Sequence, residues 1–435
     1  MNKNILKLAI PNIITNITVP MLGMADIAIV GHLDNSTYIG ALAVGTMIFN
    51  FIYWNFGFLR MGTTAFTAQA YGADNMEEAV RVLCRGICIA LGIAFLLITL
   101  QYPIAQISMY LIDSSTGIKT AALQYFFIRI WAAPATLGLY ALKGWFIGMQ
   151  NARVPMFIAI LMNVVNIILG LFFVFVCKMD VAGVALGTVL AQYFGLICAV
   201  AFWFKNYRQY GKYFSLKKSM AWSKMSSFFK VNRDIFLRSL CLTCVFSFFP
   251  IAGAKISDTI LNVNTLLMQF FMIFSYIMDG FAHAAEALTG KYIGAKDKIS
   301  LKKMLRLLFT WGGGLSICFS ILYAFCGKNM LFLFTDKTDL ITAAQDYYYW
   351  VLLVPLTGFT AFLWDGVYLG ATASKTLLLT MLIATIIFFG TYFGLHGWWG
   401  NNALWIAMIL FLFSRGILQT LLAKKSVLLP LNILK

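Results

Sequence analysis

The chain has 435 residues, of which 61% are hydrophobic and only 11% are charged, and its formal net charge is +17. Soluble domains carry roughly 25% charged residues, so this composition excludes a soluble globular protein. Apolar runs of about 20 residues recur along the chain, and each is long enough to cross a bilayer. The sequence therefore predicts an all-α integral membrane protein with twelve transmembrane helices.

The positive charge does not indicate nucleic-acid binding, because most Lys and Arg residues lie in alternate loops between the apolar runs. With twelve spans, this bias places both termini in the cytoplasm under the positive-inside rule. The N-terminal run is predicted to be a retained first span, since no small-residue cleavage site follows it. The basic residues around 205–230 are predicted to form a cytoplasmic linker that lies along anionic headgroups.

The first span contains a carboxylate in the run GMADIAIVGHLD. At helical spacing, one stripe of this span holds small and polar residues: Asn12, Asn16, Gly23 and Asp26. A carboxylate at a span centre costs about 2.5 to 3.5 kcal/mol on insertion scales, so we expect the stripe to face protein or water. Asp26 is therefore a functional candidate. The alternative is a residue at the wet outer end of the span, beside His32 and Asp34.

The fifth and sixth spans carry polar side chains that can surround a carboxylate. Asn163 and Asn166 are three residues apart on one face of the fifth span, and Thr188 and Gln192 are one turn apart in the sixth. They can form a hydrogen-bonding network around a titrating group. The alternative is that the amides join neighbouring helices.

The two halves of the chain resemble each other at an offset of about 222 residues. We predict an amino-terminal six-helix lobe at 1–204, the linker at 205–230, a carboxy-terminal six-helix lobe at 231–424 and a short cytoplasmic tail at 425–435. Because each half holds an even number of spans, the two copies have the same orientation in the membrane, as in transporters with parallel repeats.

Two glycine pairs occupy equivalent positions in the repeat. Gly144 and Gly148 end the fourth span, and Gly366 and Gly370 end the tenth. Such small residues let helix backbones approach closely, so we expect tight helix packing at both pairs rather than substrate contacts.

The second half has its own polar face. Asp279, His283 and Glu286 follow at i, i+4 and i+7 in the eighth span, and Asp365 lies in the tenth within FLWDGVYLG. These residues are candidates for a cation, a proton or a substrate. With only three histidines in the chain, we predict no metal site. The alternative is mutual neutralisation with the intramembrane bases Arg60, Arg129 and Lys143.

Five segments of the chain resemble the DinF branch of the multidrug and toxic compound extrusion (MATE) family. They are NITVPMLGMADIAIVGHLDNSTYIGALAVG, FLRMGTTAFTAQAYGA, MDGFAHAAEALTGKYIGA, LWDGVYLGAT and NNALWIAMILFLFSRG. The resemblance spans nearly the whole chain. It implies two six-helix lobes in a V shape, alternating access, and export of organic, often cationic, compounds driven by a proton or sodium gradient.

The resemblance also implies roles for individual residues. In the family the first-span aspartate couples transport to the cation, and Asp26 is the matching position. The partner network matches Asn166 and Thr188, with Asn163 alongside. Asp365, Asp279, His283, Glu286 and Arg60 remain candidates for substrate contact or charge compensation.

The chain departs from the family pattern at two positions. Many members carry a second carboxylate where this chain has Gly170, and an acid of the sixth span is replaced by Gln192. Sodium prefers several oxygen ligands, including negative ones, so these losses favour a proton. The remaining amide and hydroxyl oxygens keep sodium as the alternative ion.

We therefore predict a monomeric antiporter of the inner (plasma) membrane that exports small-molecule drugs or organic cations in exchange for protons. No cofactor, nucleotide or nucleic acid is expected. A flippase for a lipid-linked precursor is the alternative, since the intramembrane bases can hold a pyrophosphate. An intramembrane enzyme is the least favoured interpretation, because the chain shows no nucleophile elbow and no HExxH motif.

Overall fold

A computed structural model describes residues 1–33, 37–112 and 114–429. These residues form helices and turns, with no β-strand among them. Twelve of the helical segments are long and apolar enough to cross a membrane, so the predicted fold class is confirmed. Asp34 and the end of the predicted tail, 430–435, lie outside the described residues.

The helices of the first half are α1 Asn2–Gly31, α2 Thr37–Asn55, α3 Phe58–Gly72, α4 Met76–Thr99, α5 Gln101–Leu111, α6 Thr116–Arg129, α7 Ala133–Gly148, α8 Arg153–Leu171 and α9 Asp180–Tyr207. The second span consists of α2 and α3. The fourth span consists of α6, a 3₁₀ turn at Ile130–Ala132 and α7.

The linker and the second half contain α10 Leu216–Ser219, α11 Trp222–Ile256, α12 Asp258–Gly294, α13 Lys298–Phe334, α14 Thr338–Gln345, α15 Tyr348–Gly370, α16 Ser374–Trp399 and α17 Asn401–Ala423. Among them α11, α12, α13, α15, α16 and α17 supply the six spans of this half.

The chain divides into two compact units. The first unit is Ile14–Phe228, and the second combines Met1–Ile13 with Phe229–Lys435. The first turns of α1 therefore group with the second unit, and the basic linker groups with the first. The lobe limits expected from the repeat rest on sequence symmetry and stay a prediction.

The linker is held by a buried arginine of α4. Arg85 is 2% exposed, its Nε donates to the carbonyl oxygen of Ser219 at 2.8 Å, and its Nη1 lies 2.9 Å from Oε1 of Glu78. A hydrogen bond from a buried charged group is stronger than one between neutral groups. Span 3 therefore fixes the short helix α10 to the first unit.

The two halves start equivalent helices in the same way. Asp74 and Lys296 both adopt left-handed φ angles, of 53° and 55°. The next residue caps the following helix: Asn75 accepts from the Glu78 amide and Asp297 from the Ser300 amide, each at 2.9 Å. The repeat thus extends to the backbone conformation of the turns.

Helix packing within the first unit depends on the first glycine pair. A Cβ at Gly148 would lie 2.7 Å from Cβ of Thr67 and 2.9 Å from the Thr64 carbonyl oxygen, and one at Gly144 would collide with the Arg60 carbonyl. Only glycine allows α7 to approach α3 this closely.

The second unit repeats these contacts between α15 and α12. A Cβ at Gly366 would collide with the Ala282 carbonyl, and one at Gly370 with the Glu286 carbonyl and the Thr289 side chain. Each contact is offset by about 222 residues from its counterpart in the first unit. The predicted packing role of both glycine pairs is confirmed.

Candidate functional site

Asp26 lies on α1 in the first unit and is half-buried. Its Oδ1 is fully buried and accepts no hydrogen bond from any described residue. Arg129, at the C-terminal end of α6, is the charged side chain that attracts it electrostatically. A buried carboxylate oxygen without a donor is costly, which makes Asp26 a candidate site for an additional ligand such as a proton or a cation.

Arg129 is held in place by aromatic side chains. Its Nη1 donates to the hydroxyl of Tyr125, and its guanidinium carbon lies 4.9 Å from the ring centroid of Phe49 and 5.3 Å from that of Tyr125. Both rings are fully buried. Cation–π contacts and the hydrogen bond fix the base independently of Asp26.

The predicted pair in the fifth and sixth spans is formed. Asn166 and Thr188 are buried, and Nδ2 of Asn166 donates to the Thr188 hydroxyl at 3.1 Å. The hydroxyl donates onward to the Val184 carbonyl at 3.0 Å. Oδ1 of Asn166 is buried and, like that of Asp26, has no donor among the described residues. The first unit therefore contains two unsatisfied buried oxygens on the predicted coupling residues.

Asn163 contacts the first span directly. Its Nδ2 donates to the Thr18 carbonyl oxygen at 3.1 Å, which links α8 to α1. Asp26 and Thr18 lie on the same helix, about two turns apart. The polar face of the fifth span therefore forms hydrogen bonds both to α9 and to the first span.

The missing carboxylate at position 170 has a packing explanation. A Cβ at Gly187 of α9 would lie 3.0 Å from the Gly170 backbone nitrogen, and a Cβ at Gly170 would lie 3.2 Å from Cδ1 of Ile29. The helices α8 and α9 approach closely here, and Ile29 occupies the adjacent space. A side chain at Gly170 would therefore require Ile29 to shift. Gln192, the second departure from the family pattern, is half-buried on α9.

Asp365 has a different environment in the second unit. It is 6% exposed, and its Oδ2 pairs with both Arg238 of α11 and Arg415 of α17. Nε2 of Gln419 donates to its Oδ1 at 2.7 Å. Both carboxylate oxygens are therefore satisfied, and the ion pairs join three helices of the second unit.

These partners differ from those expected from the sequence. Neutralisation was the alternative for the second-half acids, with Arg60, Arg129 and Lys143 as the bases, yet Asp365 uses Arg238 and Arg415. Arg238 was missed because it follows the basic linker closely in sequence. The repeat contained a signal, since an offset of about 222 residues maps Asn16 of the first polar stripe onto Arg238.

The remaining acids of the second half lie on α12 as predicted. Asp279 accepts a hydrogen bond from Ser275 at 3.4 Å and interacts electrostatically with Arg415. Glu286 is fully buried, and His283 is half-buried one turn before it. No group of three or more His, Cys, Asp or Glu residues within the described ranges is arranged to hold a metal ion.

Arg60 lies on α3 and thus belongs to the first unit. It is half-buried and interacts electrostatically with Tyr140 and Lys143 of α7. Tyr140 interacts electrostatically with Arg129 as well, so one tyrosine is coupled to two intramembrane bases. The sequence identified all three bases but not their grouping.

Twelve spans in two repeated halves, with unsatisfied carboxylate and amide oxygens inside the membrane, define a membrane transporter rather than a structural membrane protein. A family model described as MatE matches residues 11–172 and 235–391. The chain therefore belongs to the multidrug and toxic compound extrusion (MATE) family, as the sequence motifs indicated.

Relatives and solved structures agree with this assignment. The chain is 35% identical to DNA damage-inducible protein F of Escherichia coli (strain K12), over 96% of this chain and 90% of that protein. It is 24% identical to a probable multidrug resistance protein NorM of Thermotoga maritima, over 70% of this chain and 66% of that protein.

A crystal structure of a MATE transporter in the bent conformation has the same fold. Its TM-score is 0.88 at 18% identity, with 99% of this chain and 96% of that chain covered. The Vibrio cholerae MATE transporter VcmN in its bent form gives a TM-score of 0.86 at 16% identity, over 99% of this chain and 98% of the other.

Proposed function

We propose that this protein is a secondary antiporter that exports organic compounds in exchange for protons, with Asp26 as the proton site. The observation that carries the proposal is the buried Oδ1 of Asp26, which has no hydrogen-bond donor among the described residues. Family membership supports transport of drugs or other toxic compounds. Asp26 is the residue from which we infer that the coupling ion is a proton and that it is exchanged for the exported compound.

The coupling step follows from the attraction between Asp26 and Arg129. Protonation removes the charge of Asp26 and with it this attraction, while Arg129 stays fixed on Tyr125 and Phe49. The first span is then released from the fourth and rearranges. Each ligand favours one arrangement, so proton uptake is accompanied by substrate release, and the proton and the substrate are not bound together.

The first span is suited to such a movement because few of its residues are buried by other helices. Only 11% of its most apolar stretch is buried, against 67% for the fourth span. Elements with few buried contacts are the ones that open or shift at low free-energy cost. The hydrogen bond from Asn163 to the Thr18 carbonyl is the contact that we expect to break or reform.

The number and charge of the oxygen ligands around Asp26 favour a proton over sodium. Asp26 is the carboxylate on the polar stripe of α1, and the position of a second acid is occupied by Gly170 packed against Ile29. Asn166 and Thr188 supply neutral oxygens, which assist either ion. We further propose that the protein acts as a monomer in the inner membrane, without a cofactor or nucleotide.

The test is efflux of ethidium from proteoliposomes under an imposed pH gradient or an imposed sodium gradient, each applied alone. We compare wild type with Asp26→Asn, and use Asp180→Asn as the matched control. Asp180 is a second carboxylate of the first unit, and it accepts a hydrogen bond from the Tyr38 hydroxyl at 3.0 Å. Asn preserves the shape of both side chains and removes only the titrating group.

We expect wild type and Asp180→Asn to export the dye with the pH gradient, and Asp26→Asn to lose this export. If the sodium gradient alone drives export, sodium replaces the proton as the coupling ion in the proposal. Equal export by Asp26→Asn would move the coupling site to Asp365 or Asp279. Failure of wild type with both gradients would overturn export of organic cations itself.

A further inference from the structure

An apolar groove lies on the first unit beside the start of the basic linker. Its volume is about 390 Å³, and the described residues that line it are all hydrophobic or glycine. Leu83, Leu142 and Trp203, from α4, α7 and α9, form a buried floor. Phe204 and Phe214 also line the groove and are 57% and 53% exposed. The groove is therefore open at the surface of the chain, and its volume is in the range of ligand sites.

The groove extends from the linker into the membrane-spanning part of the unit. Its linker side is lined by Gly211 and Phe214, within and directly after the 3₁₀ turn Arg208–Tyr213. Its membrane side is lined by Val200, about two turns before the end of α9, and by Ile87, about three turns after the start of α4. Because α4 and α9 are both long and apolar enough to cross a membrane, the groove leads from headgroup level toward the hydrocarbon core.

Polar contacts hold the linker beside the groove. Before the 3₁₀ turn, the hydroxyl of Tyr207 accepts a hydrogen bond from Nδ2 of Asn151 at 3.3 Å. After it, the carbonyl oxygen of Ser219 accepts the bond from the buried Arg85 at 2.8 Å. The residues of the linker that line the groove lie between these two attachments in sequence. The groove is therefore largely formed before any ligand binds, as is usual for binding sites.

Basic side chains adjoin the groove on its linker side. Lys205, Arg208 and Lys212 are all exposed. Lys205 directly follows the groove residue Phe204, and Lys212 directly follows Gly211. The linker contains no Asp or Glu that could neutralise them. This combination is complementary to a molecule with a long apolar chain and a negatively charged head.

The acids of the neighbouring helix have other partners. Glu77 and Glu78, in the first turn of α4, pair with Arg81 and Arg85. Among the described residues, no carboxylate forms an ion pair with any of the three bases beside the groove. The bases are therefore available to a ligand from outside the chain.

We propose that this groove binds one anionic phospholipid, with an acyl chain along Trp203 and Phe204 and the phosphate beside Arg208 and Lys212. The cytoplasmic leaflet carries anionic lipids, and the linker is predicted to lie on that side. The sequence predicts only that the linker follows the headgroups, whereas the groove provides a defined place for one chain. The proposal is independent of the antiport, since lipid binding requires no gradient.

A defined site differs from diffuse attraction in what it depends on. Diffuse attraction depends on the number of bases in the linker. A site depends on the bases next to the groove and on space for the chain. Lys212 and Lys224 are both exposed linker bases, and only Lys212 adjoins the groove. Replacing each of them by Gln therefore separates the two cases.

The test measures quenching of tryptophan fluorescence by phospholipids with brominated acyl chains, in vesicles of unbrominated phosphatidylcholine. Brominated phosphatidylglycerol, which is anionic, is compared with brominated phosphatidylcholine carrying the same chains. A chain in the groove quenches Trp203, and the signal lost in Trp203→Phe identifies this contribution. The proteins are wild type, Lys212→Gln, and Lys224→Gln as the matched control.

A second pair of variants changes the space for the chain. Gly211→Leu fills the groove, since a Cβ there lies 3.9 Å from Cη2 of Trp203, at ordinary contact distance. Gly92→Leu makes the same change on α4, outside the groove, where a Cβ meets no atom within 4 Å. Thermal unfolding shows whether each variant is folded. If Gly211→Leu does not fold, the two lysine variants decide the outcome.

We expect phosphatidylglycerol to bind at Trp203 about ten-fold more tightly than phosphatidylcholine in wild type, as two bases near a phosphate provide. Lys212→Gln should lower this preference about five-fold. Gly211→Leu should remove the quenching of Trp203 by both lipids. Lys224→Gln and Gly92→Leu should behave as wild type.

Four results would overturn the proposal. They are equal binding of the two lipids to wild type, equal effects of Lys212→Gln and Lys224→Gln, undiminished quenching in a folded Gly211→Leu, and displacement of the lipid by ethidium. The second result would leave only diffuse attraction to headgroups. The fourth would assign the groove to the exported compound.

Discussion

Two aspartates in apolar spans show how surroundings decide the role of a residue. Asp365 is saturated by Arg238, Arg415 and Gln419, and a buried ion pair with all its oxygens satisfied is a structural element. Asp26 has the electrostatic partner Arg129 and an Oδ1 with no donor in the described part of the chain. Asp365 therefore stabilises the second unit, whereas Asp26 is the residue at which we propose proton exchange.

The structural role of Asp365 predicts the effect of its removal. Asp365→Asn leaves two buried guanidinium groups without a counter-charge, and breaking a buried pair costs roughly 3 to 5 kcal/mol. We expect a melting temperature in detergent that is lower by several degrees. The control is Glu77→Gln, whose ion pair with Arg81 is partly exposed and contributes less than about 1 kcal/mol. Equal melting temperatures of the two variants would assign Asp365 to another role.

At the scale of helices, the glycine pairs determine how closely spans approach. Gly144 and Gly148 pack on α3, and their equivalents Gly366 and Gly370 pack on α12. This contact was predictable, because the spacing of small residues and its repetition are both visible in the sequence. The break between α2 and α3 was not predicted from the sequence. The break within span 4 coincides with Pro134 at the start of α7, but Pro355 of the second half lies inside the continuous helix α15, so a proline alone does not predict a break.

The packing role predicts opposite outcomes for two substitutions of glycine by alanine. Gly148→Ala places a Cβ 2.7 Å from Thr67, and the strain should destabilise the protein by about 1 to 3 kcal/mol. Gly92→Ala on α4 meets no atom within 4 Å, and replacing a helical glycine there should be neutral or stabilising by up to about 1 kcal/mol. Thermal unfolding in detergent measures both. A destabilised Gly92→Ala, or an unaffected Gly148→Ala, contradicts this packing.

For the whole molecule, composition, hydropathy and the internal repeat were sufficient to predict an all-α fold with twelve spans. The sequence also predicted the Asn166–Thr188 pair, since helical spacing and the family resemblance pointed to the same residues. Partners far apart in sequence were not predictable: Arg238 and Asp365 meet only because α11 and α15 pack together in the second unit. Spacing along one helix does not reveal which other helix supplies the counter-charge.

The basic loops predict the orientation of the molecule in the membrane, and this prediction can be tested directly. If both termini are cytoplasmic, the turn after span 5 lies outside and the linker lies inside. Cys177 is exposed in that turn, and Tyr207 ends α9 at the start of the linker. In a variant with Cys177 as its single cysteine, a membrane-impermeant maleimide should label right-side-out vesicles. With the single cysteine moved to the linker by Tyr207→Cys, labelling should require permeabilisation. The reverse pattern would invert the predicted orientation and, with it, the side from which we propose that Asp26 receives a proton.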